Sequence, residues 1–195
     1  MVITMNNTRE KILNTATRLF YKKGYHATGL NLIIKESGAP KGSLYYHFPN
    51  GKEQLALEAI DVSKKAVGNC ILNYLNSYEL ASDAIQAHIG AMAEVFTNEE
   101  VFSSDSIAIM PFGLIAAESA FENEKMRIAC EETFLYWESL YAEKIMSEGY
   151  SIEQATNLAI TINVMIEGAV THSLTQKSNK PLLTIQSMIP HLLKR

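Results

Sequence analysis

The stretch from position 38 to position 48 reads GAPKGSLYYHF. Leu44 and Phe48 are four residues apart, so on a helix they share one face and can anchor it to a core. The side chains between them must then point away from that core. The stretch therefore predicts a short helix that presents polar and aromatic groups to a partner, although one of its two adjacent tyrosines also fits ordinary packing within the protein.

Two helices are predicted before this stretch. The first begins at a capping box of Asn7 and Glu10, carries one apolar stripe and ends at Gly24. The stripe comprises Ile12, Leu13, Ala16, Leu19 and Phe20. The second runs from about Leu30 to Ser37, and Gly38 breaks it before Pro40, which suits the start of a further helix. Two short helices joined by a tight glycine turn form a helix-turn-helix.

A recognition helix in a DNA groove needs small residues where its backbone approaches the bases, here Gly42 and Ser43. It also needs hydrogen-bond donors around that point for phosphate oxygens. The stretch supplies such donors at Lys41, Tyr45, Tyr46 and His47. The pattern therefore favours binding to double-stranded DNA.

The next helix supports the same interpretation. It begins PNGKEQLALEAI, where Asn50 and Glu53 make a predicted capping box and Lys52 lies in the first turn. A cation there opposes the helix dipole, unless an anion such as a DNA phosphate lies just beyond it. Alternatively, Lys52 is an ordinary surface lysine, and the helix tolerates its small unfavourable effect.

Charge divides the chain into a basic amino end and an acidic remainder. Residues 1–53 hold eight Lys/Arg against three Asp/Glu, which leaves nine basic and eighteen acidic residues in 54–195. A polyanion is the expected partner of the basic end. The isolated Cys70 and Cys130 and the opening MVITMNNTRE, which does not fit a signal peptide, predict a reduced cytoplasmic protein. The weakly charged segment 155–176 is interrupted by polar residues and is not expected to cross a membrane.

Residues 9–55 resemble the amino-terminal DNA-binding domain of TetR-type (TetR/AcrR) bacterial transcriptional repressors. The resemblance rests on the Leu19-Phe20 pair, Gly24, Thr28, Gly38, Lys41-Gly42-Ser43-Leu44-Tyr45, His47-Phe48 and Lys52-Glu53. The segments APKGSLYYHFPNGKEQL and, later, MPFGLIAAESA are similar to segments of a subgroup of these repressors that responds to multiple drugs and flavonoids.

This resemblance implies two sets of DNA contacts. The expected phosphate contacts are Thr28, Tyr45, His47 and Lys52, and the expected base-reading residues are Asn31, Lys41, Gly42, Ser43 and Tyr46. Two departures from the family pattern bear on them. Gly29 replaces a second threonine, which leaves Thr28 to cap the second helix, and the link Pro49-Asn50-Gly51 is one residue longer than usual before Lys52.

The rest of the chain is predicted to supply dimerisation and ligand sensing. The helices at 128–147 and 152–176 are apolar enough to pair with a second copy. Gly149 is predicted to end the first, and a capping box of Ser151 and Gln154 to begin the second. Small residues in the second helix would allow close approach, namely Ala155, Ala159, Gly168, Ala169 and Ser173. A helix in the middle of a monomeric bundle is the alternative. Soft and aromatic side chains are candidates to line a pocket for a flat apolar effector, although each also fits a packed core. They are Met92, Phe96, Met110, Phe112, Phe134 and Trp137.

The sequence thus predicts an all-α chain with a three-helix DNA-binding domain at 1–53 and a helical ligand-binding and dimerisation domain at 54–195. The predicted function is a homodimeric transcriptional repressor that a small apolar or aromatic compound releases from its operator. No metal, cofactor or catalytic motif is indicated. Two alternatives stay open: an adaptor whose helix-turn-helix binds protein, and a helical enzyme acting on a small apolar compound.

Overall fold

The computed structural model describes residues 3–97 and 112–194. Within these ranges all regular structure is helical, as the sequence predicts. The helices are α1 (Ile3–Lys23), α2 (Leu30–Ser37), α3 (Lys41–His47), α4 (Gly51–Ser77), α5 (Ala81–Val95), α6 (Phe112–Glu122), α7 (Glu124–Ser147), α8 (Ile152–Gln176) and α9 (Lys180–Leu192). None of the helices in the described part of the chain is long and apolar enough to cross a membrane.

The described residues group into two compact units, whose bounds differ from the predicted division at residue 53. The amino-terminal unit comprises the described parts of Met1–Ser63 and Phe112–Glu131, and the carboxy-terminal unit those of Lys64–Pro111 and Glu132–Arg195. The first unit is therefore built from two separate stretches of chain. Both α4 and α7 run from one unit into the other.

In the amino-terminal unit, α1 packs against α2, α3 and α6. The predicted apolar stripe of α1 is confirmed, since all five of its residues are buried. Two of the predicted capping boxes are wrong. Helix α1 begins at Ile3, so Asn7 lies within it. At the start of α4, the Asn50 amide donates to Gln54 Oε1 (3.1 Å), not to Glu53.

In the carboxy-terminal unit, α9 packs along both α5 and α8. The predicted capping box at the start of α8 is confirmed: Ser151 Oγ accepts from the Gln154 amide (3.2 Å), and Gln154 Oε1 accepts from the Ser151 amide (3.1 Å). Two hydrogen bonds also join α5 and α9, because Gln86 and Gln186 each donate to the main-chain carbonyl of the other. These two bonds fix α9 against α5.

Candidate nucleic-acid interface

The turn between α2 and α3 sets the direction of the recognition helix. Gly38 ends α2 at a φ of +61°, a left-handed conformation that glycine adopts without steric cost. Ser37 Oγ then accepts from the Ala39 amide (3.3 Å). Pro40, with φ near its fixed value at −58°, precedes the first residue of α3.

Helix α3 is anchored at the two positions that the sequence indicates. Leu44 and the Phe48 that follows the helix are both fully buried. The guanidinium of Arg9, on α1, lies 5.0 Å from the centroid of the Phe48 ring. Burying two large apolar side chains contributes about 2 kcal/mol each, enough to hold a seven-residue helix that could not persist alone.

The remaining side chains of α3 face outward and form the recognition face, defined as residues 41–43 and 45–47. Tyr46 is 70% exposed and Tyr45 45% exposed, while Ser43 and His47 are half-buried. The rings of Tyr46 and His47 meet edge to face at 5.0 Å, which orders both. Asn31 of α2 is also exposed.

Gly42 is not required by packing inside the protein. A Cβ added there would meet no described atom within 4 Å, apart from its own helix and neighbours. A glycine inside a helix nevertheless destabilises it by about 0.5–1 kcal/mol relative to alanine. The open space above Gly42 therefore favours close approach by an external partner.

The structure corrects the predicted role of Thr28. Its side chain is fully buried, and its hydroxyl donates to the main-chain carbonyls of Gly24 (2.8 Å) and Leu19 (3.1 Å). It does not cap α2, whose N-terminal capping position is Gly29 without a side-chain bond. Thr28 therefore fastens the α1–α2 turn to the end of α1, with its hydroxyl bonded inside the protein.

Lys52 lies in the first turn of α4, as predicted, but it is held against the α1–α2 turn. Its Nζ lies 4.1 Å from the centroid of the Tyr25 ring and donates to the His26 carbonyl at 3.4 Å. Partial burial lowers the pKa of the Lys52 ammonium, and the carboxylate of Glu118 acts in the opposite direction. The ammonium is thus pre-positioned beside the helix terminus, where an anion would bind.

Sequence reasoning missed the contribution of α6 and the start of α7 to this region. Glu118 Oε2 accepts from the Tyr25 amide (2.6 Å). Glu53, beside Lys52, accepts from Asn123 Nδ2 (2.9 Å) and Lys125 Nζ (2.7 Å), and the hydrogen bond from Lys125 is the main cause of its lowered pKa. These pairs are separated in sequence by about seventy residues or more, so no local pattern could have indicated them.

The predicted effector residues fall in different places. Phe134 and Trp137 meet edge to face at 6.0 Å, and the buried Trp137 indole donates to the Lys64 carbonyl of α4 (3.0 Å). Met92 is half-buried on α5, and Phe96, which follows that helix, is buried. Phe112 belongs to the amino-terminal unit, where its ring lies 6.5 Å from that of Tyr21, and Met110 lies outside the described residues.

A polar pair inside the carboxy-terminal unit was also missed. The hydroxyl of Tyr141 on α7 and Nδ1 of His88 on α5 are 3.0 Å apart, and both side chains are buried. The Tyr74 ring of α4 lies 5.4 Å from the imidazole. Burial lowers the pKa of His88 to about 4, so the ring is neutral at pH 7. In the tautomer protonated at Nε2, Nδ1 can accept a hydrogen bond from the Tyr141 hydroxyl.

Comparison with known proteins identifies the family. A family model described as "Bacterial regulatory proteins, tetR family" matches residues 12–59. A second, described as "Transcriptional regulator LmrA/YxaF-like, C-terminal domain", matches residues 81–188. The chain belongs to the TetR family of bacterial transcriptional regulators. It is therefore a DNA-binding regulator and not an enzyme, which closes one of the alternatives left open by the sequence.

Relatives of the same family align over almost the whole chain. The HTH-type transcriptional regulator LmrA of Bacillus subtilis is 45% identical over 99% of this chain and 100% of its own length. The uncharacterized HTH-type transcriptional regulator YxaF of the same organism is 47% identical, over 97% and 96%. QacR of Staphylococcus aureus is 47% identical, but over only 30% of each chain.

Solved TetR-family structures share the fold. A TetR transcriptional regulator from Chloroflexus aurantiacus superposes with a TM-score of 0.80 at 24% identity, covering 97% of this chain and 94% of that one. The reduced form of Escherichia coli NemR superposes with a TM-score of 0.78 at 22% identity, covering 95% and 96%. At these identities the likeness shows the fold alone.

Proposed function

We propose that this TetR-family regulator is a homodimeric repressor that binds a double-stranded operator and is released by a small apolar or aromatic compound. The recognition face of α3 carries the proposal. Helix α3 buries Leu44 and Phe48 while leaving Lys41, Tyr45 and Tyr46 in solvent beside the open space at Gly42. Exposed donors around a site of close approach are what a DNA groove requires.

The recognition face divides by chemistry into two roles. Lys41, Ser43 and Tyr46, with Asn31 from α2, would read base edges. Tyr45 and His47, with Lys52 from α4, would donate to phosphates and fix the register. Thr28 is not among the proposed contacts because its hydroxyl is buried and already donated.

The exposed face of α8 supports dimerisation. Ile160 is 41% exposed and Val164 63% exposed, and Gly168 lies on the same face. The small residues expected to make close contact with a second copy, Ala155, Ala159, Ala169 and Ser173, are already buried within one chain. The proposed interface therefore uses the exposed strip of α8, with the exposed Leu135 of α7 as the contribution of the second helix.

The effector site is proposed around the aromatic pair of Phe134 and Trp137. A planar apolar compound would stack against such rings, and the His88–Tyr141 pair adds buried polar groups to the same unit. Helix α4 begins at Gly51 beside the proposed phosphate contact and continues to Ser77 within the carboxy-terminal unit. It is therefore the proposed transmitter between effector and operator.

Selection of bound duplexes from a random DNA pool by the full-length protein tests the central claim. We expect enrichment of a site with two related halves whose centres are about 34–36 Å apart or a multiple of that distance, because a dimer reads two half-sites. Apolar planar compounds are then screened for release of the selected duplex. Failure to enrich any sequence would favour the remaining alternative, an adaptor that binds protein.

Lys52→Ala tests the phosphate contact in the same system. We expect weaker binding to all sequences by a similar factor, and a salt slope reduced by about 1, because one released counterion is lost. Lys194→Ala removes an equal charge from an exposed position in the carboxy-terminal unit and should change neither quantity. Unaltered affinity and slope in Lys52→Ala would remove Lys52 from the proposed contacts.

A further inference from the structure

Glu118 is an acidic residue that contacts the DNA-binding region from outside helices α1–α3. It lies on α6, yet its Oε2 accepts from the Tyr25 amide at 2.6 Å. A Cβ added at Gly24 would lie 2.4 Å from its Oε1. The absence of a side chain at Gly24 therefore leaves room for the Glu118 carboxylate to bind the α1–α2 turn.

Lys52, on α4, contacts the same turn. Its ammonium lies over the Tyr25 ring at 4.1 Å and donates to the His26 carbonyl at 3.4 Å. Tyr25 is thus in contact with both charged residues, through its amide to Glu118 and through its ring to Lys52. The negative charge of Glu118 also raises the pKa of Lys52, against the larger lowering by burial.

A carboxylate beside a phosphate-binding ammonium has two opposing consequences. It attracts the ammonium and holds it in place, and it repels an approaching phosphate. Attraction between opposite charges near a protein surface is several-fold stronger than in bulk water, and salt does not fully screen it at separations below about 10 Å. A phosphate that binds Lys52 must therefore compete with the Tyr25 ring and the His26 carbonyl, which the ammonium contacts, and with the charge of Glu118.

We propose that Glu118 is a positioning residue for operator binding, which restrains Lys52 and competes with DNA phosphate for its ammonium. The inference rests on the proposed phosphate contact of Lys52. Its effect is on discrimination: a phosphate presented in register by the operator displaces the carboxylate, whereas random DNA gains less from Lys52. Glu118 thereby lowers affinity for non-operator DNA and widens the ratio between operator and other sequences.

The test separates the charge of Glu118 from its hydrogen bond. Glu118→Gln keeps an oxygen that can accept from the Tyr25 amide but removes the negative charge. We expect about three- to tenfold tighter binding to a scrambled duplex and a salt slope steeper by up to about 1, with a smaller gain on the selected operator. Glu118→Ala also removes the acceptor, and should loosen the turn and weaken operator binding.

The same substitution made in the Lys52→Ala background identifies the route of the effect. If Glu118 acts through Lys52, Glu118→Gln should change neither affinity nor salt slope once the lysine is absent. An equal gain in both backgrounds would overturn the proposal, as would no gain in the wild-type background. Loss of the Lys52→Ala phenotype itself would instead refute the phosphate contact, and with it both claims. Thermal unfolding of each variant shows whether the fold is retained.

Discussion

Two glycines in the DNA-binding region serve opposite purposes. Gly24 is needed by the protein itself, because its φ is +82° and the carboxylate of Glu118 occupies the space of its missing side chain. Gly42 has neither constraint, since its φ is not in the left-handed region and the space above it is open. Folding therefore accounts for the first glycine, whereas the second fits the close approach of DNA that we propose.

Gly42→Ala separates stability from function. We expect unfolding free energy to rise by about 0.5–1 kcal/mol, because alanine favours the helix, while operator affinity falls as the added methyl group meets the DNA. Gly24→Ala is the contrasting variant and should lower the unfolding free energy by about 1–2 kcal/mol or more. Urea unfolding and operator titration measure the two effects. Undiminished operator affinity in a stable Gly42→Ala protein would argue against close approach at this residue.

His88 gives the fold a dependence on acidity. Its pKa is about 4 in the folded protein against an ordinary value of 6.5, so between these pH values the unfolded chain binds a proton that the folded chain does not. Stability should therefore fall by up to about 3 kcal/mol as pH drops from 6.5 to 4. Below pH 4 the protonation of His88 lowers the free energy of unfolding no further, and above pH 6.5 it lowers it not at all.

Urea unfolding at pH 7, 5.5 and 4.5, values chosen to span roughly that window, measures this loss. His88→Gln removes the titrating group and should flatten the pH dependence in proportion, although its stability at pH 7 will be lower because the bond to Tyr141 is altered. His191→Gln exchanges an exposed histidine of α9, away from the proposed interface on α8, and serves as the control. A His88→Gln profile that parallels the wild type across the window would show that another group causes the acid sensitivity.

At the scale of helices, local signals predicted most boundaries because they are encoded by neighbouring residues. Gly24, Gly38 and Gly149 adopt positive φ where the sequence places helix ends, and Ser151 with Gln154 starts α8 as predicted. The failed capping box at the start of α4 has a cause in tertiary structure. Glu53 could have capped α4, but Asn123 and Lys125 from a distant segment bind its carboxylate instead.

The same reasoning explains what could be predicted of the candidate sites. The recognition face follows from the spacing of Leu44 and Phe48, a local property. Thr28 was misassigned because its burial depends on how the α1–α2 turn folds back on α1. The positions of Glu118 and of the His88–Tyr141 pair depend on tertiary packing, which residue spacing does not encode.

Val164→Arg tests the proposed interface on α8. The side chain is 63% exposed in the single chain, so the substitution should leave the monomer folded while placing a charge where a second copy packs. We expect weaker dimerisation by sedimentation and weaker operator binding with it. Val164→Thr keeps a similar shape and should have a much smaller effect, and Leu135→Arg asks separately whether α7 contributes. A dimer of unchanged strength in Val164→Arg would exclude this face, whereas Ala169→Arg would be uninformative because Ala169 is buried within one chain.

For the whole molecule, induction requires reciprocity between operator and effector. A compound that weakens DNA binding tenfold must bind the DNA complex tenfold less tightly, a coupling of about 1.4 kcal/mol. Trp137 is the only tryptophan and its indole is buried beside Phe134, so its emission should report occupancy. We expect titration of a compound found by the release screen to give a higher Kd with operator present than without. Equal Kd values would exclude this mechanism of release.

The amino-terminal unit is discontinuous in the chain, since Phe112–Glu131 completes what Met1–Ser63 begins. During synthesis the ribosome delivers residues at about 5–20 per second, and the intervening segment must emerge before the second stretch can join the first. Until then Tyr25 lacks the carboxylate that accepts its amide, and Glu53 lacks both of its partners. A nascent chain therefore carries its recognition helix before it carries the partners of the Tyr25 amide and of Glu53, and the amino-terminal unit is completed late in translation although most of its sequence comes early.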